Sequence, residues 1–322
     1  MGKGDLKKTP ANLSVGLHRY AVVLAAATLC LIFIGGLVTS TGSALAVPDW
    51  PLSFHRFFPP MRGGVLFEHG HRMVAGTVAL LTIGLALWAW RREPRRYVRM
   101  LALSAVLLVI VQAVLGGLTV LLLLPLALAV SHAACAQAFF CLTVALALIT
   151  NPRWESYHRV ASSEDWPRLP ALAALTTAIV YCQILIGAVM RHMGAGLAIP
   201  DFPLNFGHLV PPLDSPDVAI NFAHRVGAVV VSIFVLWTVV WVLRGYREVA
   251  QLRRLGLALV GLLALQITLG AITVLGRRPV IPTTAHVAVG AALLATCLAL
   301  TLRAYRLIEA PALEPAPQAV KA

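Results

Sequence analysis

Eight long apolar stretches run through this sequence of 322 residues and restrict what it can fold into. Each has roughly the 20 residues that an α-helix needs to cross the hydrocarbon core of a bilayer. Their approximate extents are 20–40, 66–90, 100–122, 126–149, 169–190, 219–243, 255–275 and 281–302. With 59% hydrophobic and 12% charged residues, the chain has too little charge for the surface of a soluble domain. We therefore predict an all-α polytopic membrane protein with eight transmembrane helices.

The positive charge lies mainly on one side of the predicted membrane. With the N-terminus placed in the cytoplasm, 19 Lys and Arg residues fall on the cytoplasmic side, five on the outer side and two within helices. The positive-inside rule then predicts that both termini are cytoplasmic and that the protein is a multi-pass protein of the cell inner membrane. The net charge of +13 is explained by this topology and by contact with the lipid bilayer, so nucleic-acid binding is not expected. The first stretch is too long for the h-region of a cleavable signal and is interpreted as a signal anchor.

The second half of the sequence repeats the first. Three features recur at offsets of 152, 153 and 154 residues: Pro48-Asp49-Trp50-Pro51 as Pro200-Asp201-Phe202-Pro203, His71-Arg72 as His224-Arg225, and His132 as His286. After four spans the chain is back on the side of the membrane where it started, so the second half begins in the same orientation as the first. We therefore predict two parallel four-helix repeats at 1–160 and 161–310. The tail at 311–322 is expected to be disordered. Asp49 and Asp201, in proline-rich outer loops, are interpreted as turn-forming.

Four histidines at matched places are the candidate metal ligands: His71, His132, His224 and His286. The two in each half fall at similar depth, near the outer face, on neighbouring helices. Two neutral imidazoles at one level can ligate a haem iron from both sides. An interhelical hydrogen bond would explain one such histidine, but four buried polar groups at duplicated positions favour functional sites. Zinc is a weaker alternative, because two histidines leave a tetrahedral site short of ligands.

Polar residues near these histidines are candidates for chemistry or binding. Glu68 precedes His71 by three residues and shares its helical face, where the second half has Ile220 or Asn221. A carboxylate there could take a proton or stabilise positive charge, whereas the structural alternative is an ion pair with Arg72. Arg72 and Arg225 are candidate partners of haem propionates. Two repeated patches that begin at Gln112 and Gln266 are interpreted as helix packing, with a polar ligand contact as the alternative. His69 and the remaining histidines are given no site role.

These motifs resemble the haem A synthase family. The resemblance rests on the segment 35–42, on Pro48-Asp49-Trp50-Pro51, on Glu68-His69-Gly70-His71-Arg72 and on the later histidines, and it covers about residues 15–305. It implies oxidation of the methyl group of haem O to the formyl group of haem A, for cytochrome oxidase. It also implies that His71 and His132 ligate the substrate haem in the N-terminal half, that His224 and His286 hold a b-type haem in the C-terminal half, and that Glu68 is the catalytic acid.

The resemblance implies partners as well: a farnesyltransferase that produces haem O, and a membrane electron donor such as a quinol. Many bacterial members carry a cysteine pair in the first outer loop, but residues 41–65 contain no cysteine, so no thiol relay is carried over. Two other functions stay open, namely a non-catalytic di-haem electron carrier and a transporter built on parallel repeats. The sequence also leaves open whether the chain forms a homo-oligomer.

Overall fold

The computed structural model describes residues 11–155 and 168–308. Within these ranges the chain forms eight long helices: α1 (Ala11–Ser40), α2 (Gly64–Arg92), α3 (Arg96–Leu121), α4 (Leu126–Ile149), α5 (Leu169–His192), α6 (Pro216–Gly245), α7 (Ala250–Leu275) and α8 (Val280–Leu307). All eight are long and apolar enough to cross a membrane, and the described residues form no β-strand. The prediction of an all-α, eight-span membrane protein is confirmed. The predicted disordered tail lies outside the described residues.

Most helices extend beyond the apolar stretches that predicted them. The helix α2 continues to Arg92 and has Arg91 and Arg92 in its last turn, and α8 continues to Leu307 with Arg306 in its last turn. Basic side chains at a helix C-terminus interact favourably with the helix dipole, so the helix continues where hydropathy ends. Hydropathy therefore located each span but underestimated the length of seven of the eight helices, with α4 as predicted.

The helices pack as two groups of four. In the first group α1 contacts α2 and α4, and α3 contacts the same two helices; α5 to α8 pack in the corresponding way. Each group has an apolar core of its own, around Leu24, Leu85 and Leu146 in the first and around Leu259 and Leu294 in the second. The groups meet along α1, α4, α5 and α8. This packing agrees with two parallel repeats, which stay a prediction because their proposed boundary lies outside the described residues.

The connections α1–α2 and α5–α6 form similar outer loops. The carboxylate of Asp49 accepts hydrogen bonds from the backbone N–H groups of Phe54 and His55, at 2.7 and 2.8 Å. In the second loop Asp201 accepts from Phe206 and Gly207, at 2.8 and 2.9 Å. These backbone donors, that of His55 above all for Asp49 and that of Gly207 for Asp201, hold the pKa of each carboxyl below its usual value. The prediction that both aspartates form turns is confirmed.

Candidate haem-binding sites

Each predicted ligand histidine lies against a glycine of the preceding helix. The four pairs, in chain order, are Gly35 with His71, Gly116 with His132, Gly187 with His224, and Gly270 with His286. A Cβ atom at these glycines would lie only 2.9–3.2 Å from the Cε1 atom of the imidazole. A larger residue would therefore displace the ring, since ordinary contacts between carbon atoms are about 3.5–4.0 Å. The same helix-to-helix contact thus positions all four rings.

The structure brings the histidines together in the predicted pairs. The ring centroids of His224 and His286 are 6.4 Å apart, with an angle of 71° between the ring planes. Metal–imidazole nitrogen bonds are about 2 Å long, so two such bonds and two ring radii of about 1 Å span roughly 6 Å. The separation therefore fits one iron held between the two rings. His71 and His132 are likewise close enough to interact electrostatically.

The hydrogen bonds of His286 leave one ring nitrogen available to a metal. Its Nδ1 donates to the backbone carbonyl of Gln266 at 3.1 Å, so the lone pair is on Nε2. The side-chain amide of Gln266 lies 3.3 Å from that Nε2, and the amide of Gln112 lies 3.2 Å from Nε2 of His132. Both amides must move aside when a metal binds. The two repeated glutamines therefore contact the candidate ligand histidines, and a polar contact of either amide with a ligand stays a prediction.

His71 lacks the amide neighbour that the other three histidines have. Gln183 of α5 lies 3.0 Å from Nδ1 of His224 and donates to the backbone carbonyl of His224 at 2.7 Å. The corresponding residue of α1 is Leu31, four residues before Gly35. Among the described residues, the buried Nδ1 of His71 has no hydrogen-bond partner. The first site is therefore less tightly braced than the second.

Glu68 and Asn221 hold corresponding positions and both anchor an outer loop. Glu68, 3% exposed, accepts hydrogen bonds from Arg72 at 2.7 Å and from the backbone N–H of Val47 at 2.8 Å. Asn221, also 3% exposed, accepts from Arg225 at 3.0 Å and donates to the carbonyl of Ala195 at 2.8 Å. The ion pair considered as the structural alternative is thus present. Asn221, rather than Ile220, is the equivalent of Glu68, so only the first site has an acid at this place.

Arg72 and Arg225 bind loop carbonyls in the same manner. Nη1 of Arg72 donates to the carbonyls of Asp49 and Leu52, at 2.6 and 2.7 Å. Nη1 of Arg225 donates to those of Asp201 and Leu204, at 2.8 and 2.9 Å. A haem propionate would have to compete with these bonds, and its pairing with either arginine stays a prediction.

The structure shows contacts near the sites for three side chains to which the sequence assigned no role there. His69, 7% exposed, bonds through Nδ1 to the hydroxyl of Ser53 at 2.7 Å and so helps to hold the first loop. Arg191 donates to the carbonyl of Gly36 at 2.8 Å and to the hydroxyl of Ser40 at 2.9 Å, which ties α5 to α1. Arg278 lies close enough to Arg191 for the two charges to interact. Contacts between distant segments create these roles, and no local motif marks them.

Comparisons with known proteins show the family to which the chain is similar. Residues 63–298, which include all four histidines, match the model of the COX15-CtaA family, described as cytochrome oxidase assembly protein. A haem A synthase of Symbiobacterium thermophilum is 31% identical over 273 residues, covering 82% of this chain and 85% of the relative. Haem A synthases of Shouchella clausii and Halalkalibacterium halodurans are each 31% identical, over 239 and 230 residues. These matches cover 72% and 68% of this chain, and 78% and 73% of the relatives.

Proposed function

The chain belongs to the COX15-CtaA family of cytochrome oxidase assembly proteins, and we propose that it works as a haem A synthase. It is a multi-pass membrane oxidoreductase of haem A biosynthesis, which oxidises the methyl group of haem O to the formyl group of haem A. One observation carries this proposal: two histidine pairs, each on its own group of four helices, with a separation in the second pair that fits a single iron.

In this proposal the two sites divide the work. His71 and His132 hold the substrate, haem O, in the N-terminal half, 1–160. His224 and His286 hold a b-type haem in the C-terminal half, 161–310. When bound, that haem supplies one-electron redox chemistry. The difference between Glu68 and Asn221 supports this division, because only the first site has a carboxylate within one helical turn of a ligand histidine.

Glu68 is the proposed catalytic residue. Conversion of the methyl group to a formyl group breaks C–H bonds and adds one oxygen atom, so it requires dioxygen as the oxidant, with the membrane donor supplying the electrons that reduce the second oxygen atom of each dioxygen to water. A nearby carboxylate can accept a proton or stabilise positive charge that develops at the methyl carbon. The hydrogen bonds from Arg72 and from the backbone of Val47 fix the orientation of the carboxylate. The same residue thus holds the outer loop and, in this proposal, serves the substrate haem on the neighbouring turn of α2.

The membrane placement follows from charge and helix direction. We place the protein in the cell inner membrane with both termini in the cytoplasm, because the basic residues gather on the cytoplasmic side. Each ligand histidine lies between the second and third turns of an even-numbered helix, so all four have similar depth, near the outer face. Haem O from a farnesyltransferase can arrive through the bilayer, and a membrane donor such as a quinol can supply electrons.

This common depth also disfavours the di-haem electron carrier. A carrier that moves electrons across a membrane needs haems at two depths, whereas these two pairs lie at one depth. A carrier would also keep two haems permanently and release neither. The transporter alternative requires ionisable groups near the midplane, but the two buried glutamates among the described residues, Glu68 and Glu93, lie near opposite ends of α2.

The direct test is expression in a host that makes haem O but no haem A, followed by extraction and chromatography of the haems. We expect haem A or its hydroxylated intermediate with the natural chain. The variant Glu68→Ala should lower the rate of formation by about 10²–10⁴-fold, the range for a general acid or base. Formation of haem A at the normal rate by that variant would exclude the catalytic role of Glu68. If the natural chain forms neither product, the proposed function is wrong.

A further inference from the structure

Two arginines at the outer end of the second helix group have no acidic partner among the described residues. Arg191 lies in the last turn of α5, and Arg278 lies in the turn between α7 and α8. The ion pairs of the described chain involve neither residue. Instead, the main electrostatic neighbour of Arg191 is Arg278, which has the same charge. Two nearby cations inside or beside a membrane are costly unless an anion joins them.

Both arginines lie at the rim of the second histidine pair. Arg191 is one helical turn beyond Gly187, the glycine against which His224 packs, and its charge also acts on His286. The side chain of Arg278 passes over the short 3₁₀ helix of the outer loop, with its Cδ atom 3.8 Å from the Cβ position of Gly196. Both arginines therefore belong to segments that border the His224–His286 pair, and the guanidinium of Arg191 donates to Gly36 and Ser40 of α1 there.

The first helix group has the same backbone at these places without the charges. The turn residues Leu123 and Leu124 have φ values of 60° and 62°, and Arg277 and Arg278 have 55° and 65°. In both turns the second residue donates its N–H to a threonine carbonyl at 2.8 Å, from Leu124 to Thr119 and from Arg278 to Thr273. The position that corresponds to Arg191 holds Thr39. The two turns share one geometry, so the arginines are not required to form it.

We propose that Arg191 and Arg278 bind the two propionate carboxylates of the haem in the C-terminal site. The proposal rests on the proposed function, since it assumes a haem between His224 and His286. Guanidinium groups bind carboxylates through charge-assisted hydrogen bonds, which are stronger than neutral ones. The two arginines then give the haem of the C-terminal site two contacts that the first site does not offer, and these contacts help to retain it. Thr39 and Leu124 leave the first site without them, so a substrate haem can leave it after reaction.

The test uses two probes on the full chain in neutral detergent: protohaem and its dimethyl ester, in which both propionates are uncharged. The variants are Arg191→Thr and Arg278→Leu, which copy the first site, alone and together. Arg277→Leu is the matched control, because it removes the same charge from the same turn. The rate of haem transfer to apomyoglobin is measured, together with the Soret spectrum and the reduction potential.

We expect each substitution to speed the loss of protohaem about tenfold or more, as for a charge-assisted hydrogen bond, with no comparable change in Arg277→Leu. The natural chain should release the dimethyl ester faster than protohaem, and the double variant should release both at the same rate. The reduction potential should fall in the variants, since removal of nearby cations favours the ferric state.

Two results would overturn the inference. One is equal release of protohaem and its ester by the natural chain, which needs no variant to fold. The other is an equal acceleration of both probes in the double variant, which would assign the arginines to another anion such as a lipid phosphate. The proposed function fails differently: in that case the natural chain binds no protohaem, or His224→Ala leaves its binding unchanged.

Discussion

The two halves of the molecule place their histidines in the same way and differ in what surrounds them. The two halves differ at four pairs of corresponding positions. In each pair the residue of the first half is named first: Glu68 and Asn221, Leu31 and Gln183, Thr39 and Arg191, Leu124 and Arg278. The first half has an acid near its histidines and few polar groups that would retain a ligand. The second has amide and guanidinium groups and no acid. One frame thus supports both a site suited to reaction and exchange and a site suited to retention.

The glycine contacts are shared by both sites, and a methyl group added there tests them most severely. In Gly187→Ala the new Cβ would lie 2.9 Å from Cε1 of His224, and in Gly35→Ala it would lie 3.0 Å from Cε1 of His71. Overpacking of this kind costs about 1–3 kcal/mol, so we expect roughly 5- to 150-fold weaker haem binding at the affected site only. Haem titration followed in the Soret band measures both affinities.

A matched control for these variants is Gly261→Ala, because an added Cβ there has no neighbour within 4 Å. It should bind both haems as the natural chain does. If Gly187→Ala and Gly261→Ala bind haem equally well, the contact with glycine does not position the histidine.

Single substitutions at Leu31 and Gln183, each to the residue found in the other half, test whether the side-chain amide stabilises the position of its histidine. Gln183→Leu should speed loss of the b-type haem about three- to tenfold, since a hydrogen bond contributes about 1 kcal/mol net. Leu31→Gln should slow release of haem O from the first site by a similar factor. Stopped-flow haem transfer measures each rate. Unchanged rates in both variants would show that the amides do not distinguish the sites.

The loop aspartates are expected to give the smallest effect, on pH dependence. Because the pKa of Asp49 and of Asp201 is lowered in the folded chain, each turn is fully stabilised above the unfolded pKa of about 3.9 and weakens as pH falls through the lower folded value. Trp50 lies in the first loop against Gly117, so its fluorescence, isolated by comparison with Trp50→Phe, reports on that loop. We expect no change from pH 8 to 5 and a change only below about pH 4. A transition near pH 6 would contradict the assignment to Asp49.

The sequence predicted the parts of this molecule that local pattern determines. Apolar stretches located the eight helices, and duplication located the four histidines, because both signals lie in contiguous residues. Gln183 was not predicted as part of a site, because its counterpart is Leu31 and a comparison of the two repeats reveals only residues that both repeats share. The choice between Ile220 and Asn221 needed the hydrogen bond to Arg225. Arg191 and Arg278 needed the packing of distant helices, because an unpaired charge is visible only when all its neighbours are known.

The division between the two sites is tested most directly by the haem content of His71→Ala and His224→Ala, purified from cells that make haem O. We expect His71→Ala to keep about one protohaem per chain and to contain no haem A. We expect His224→Ala to lose protohaem and still carry haem O. An equal loss of both haem types in the two variants would contradict the division of the halves into a reacting site and a retaining site.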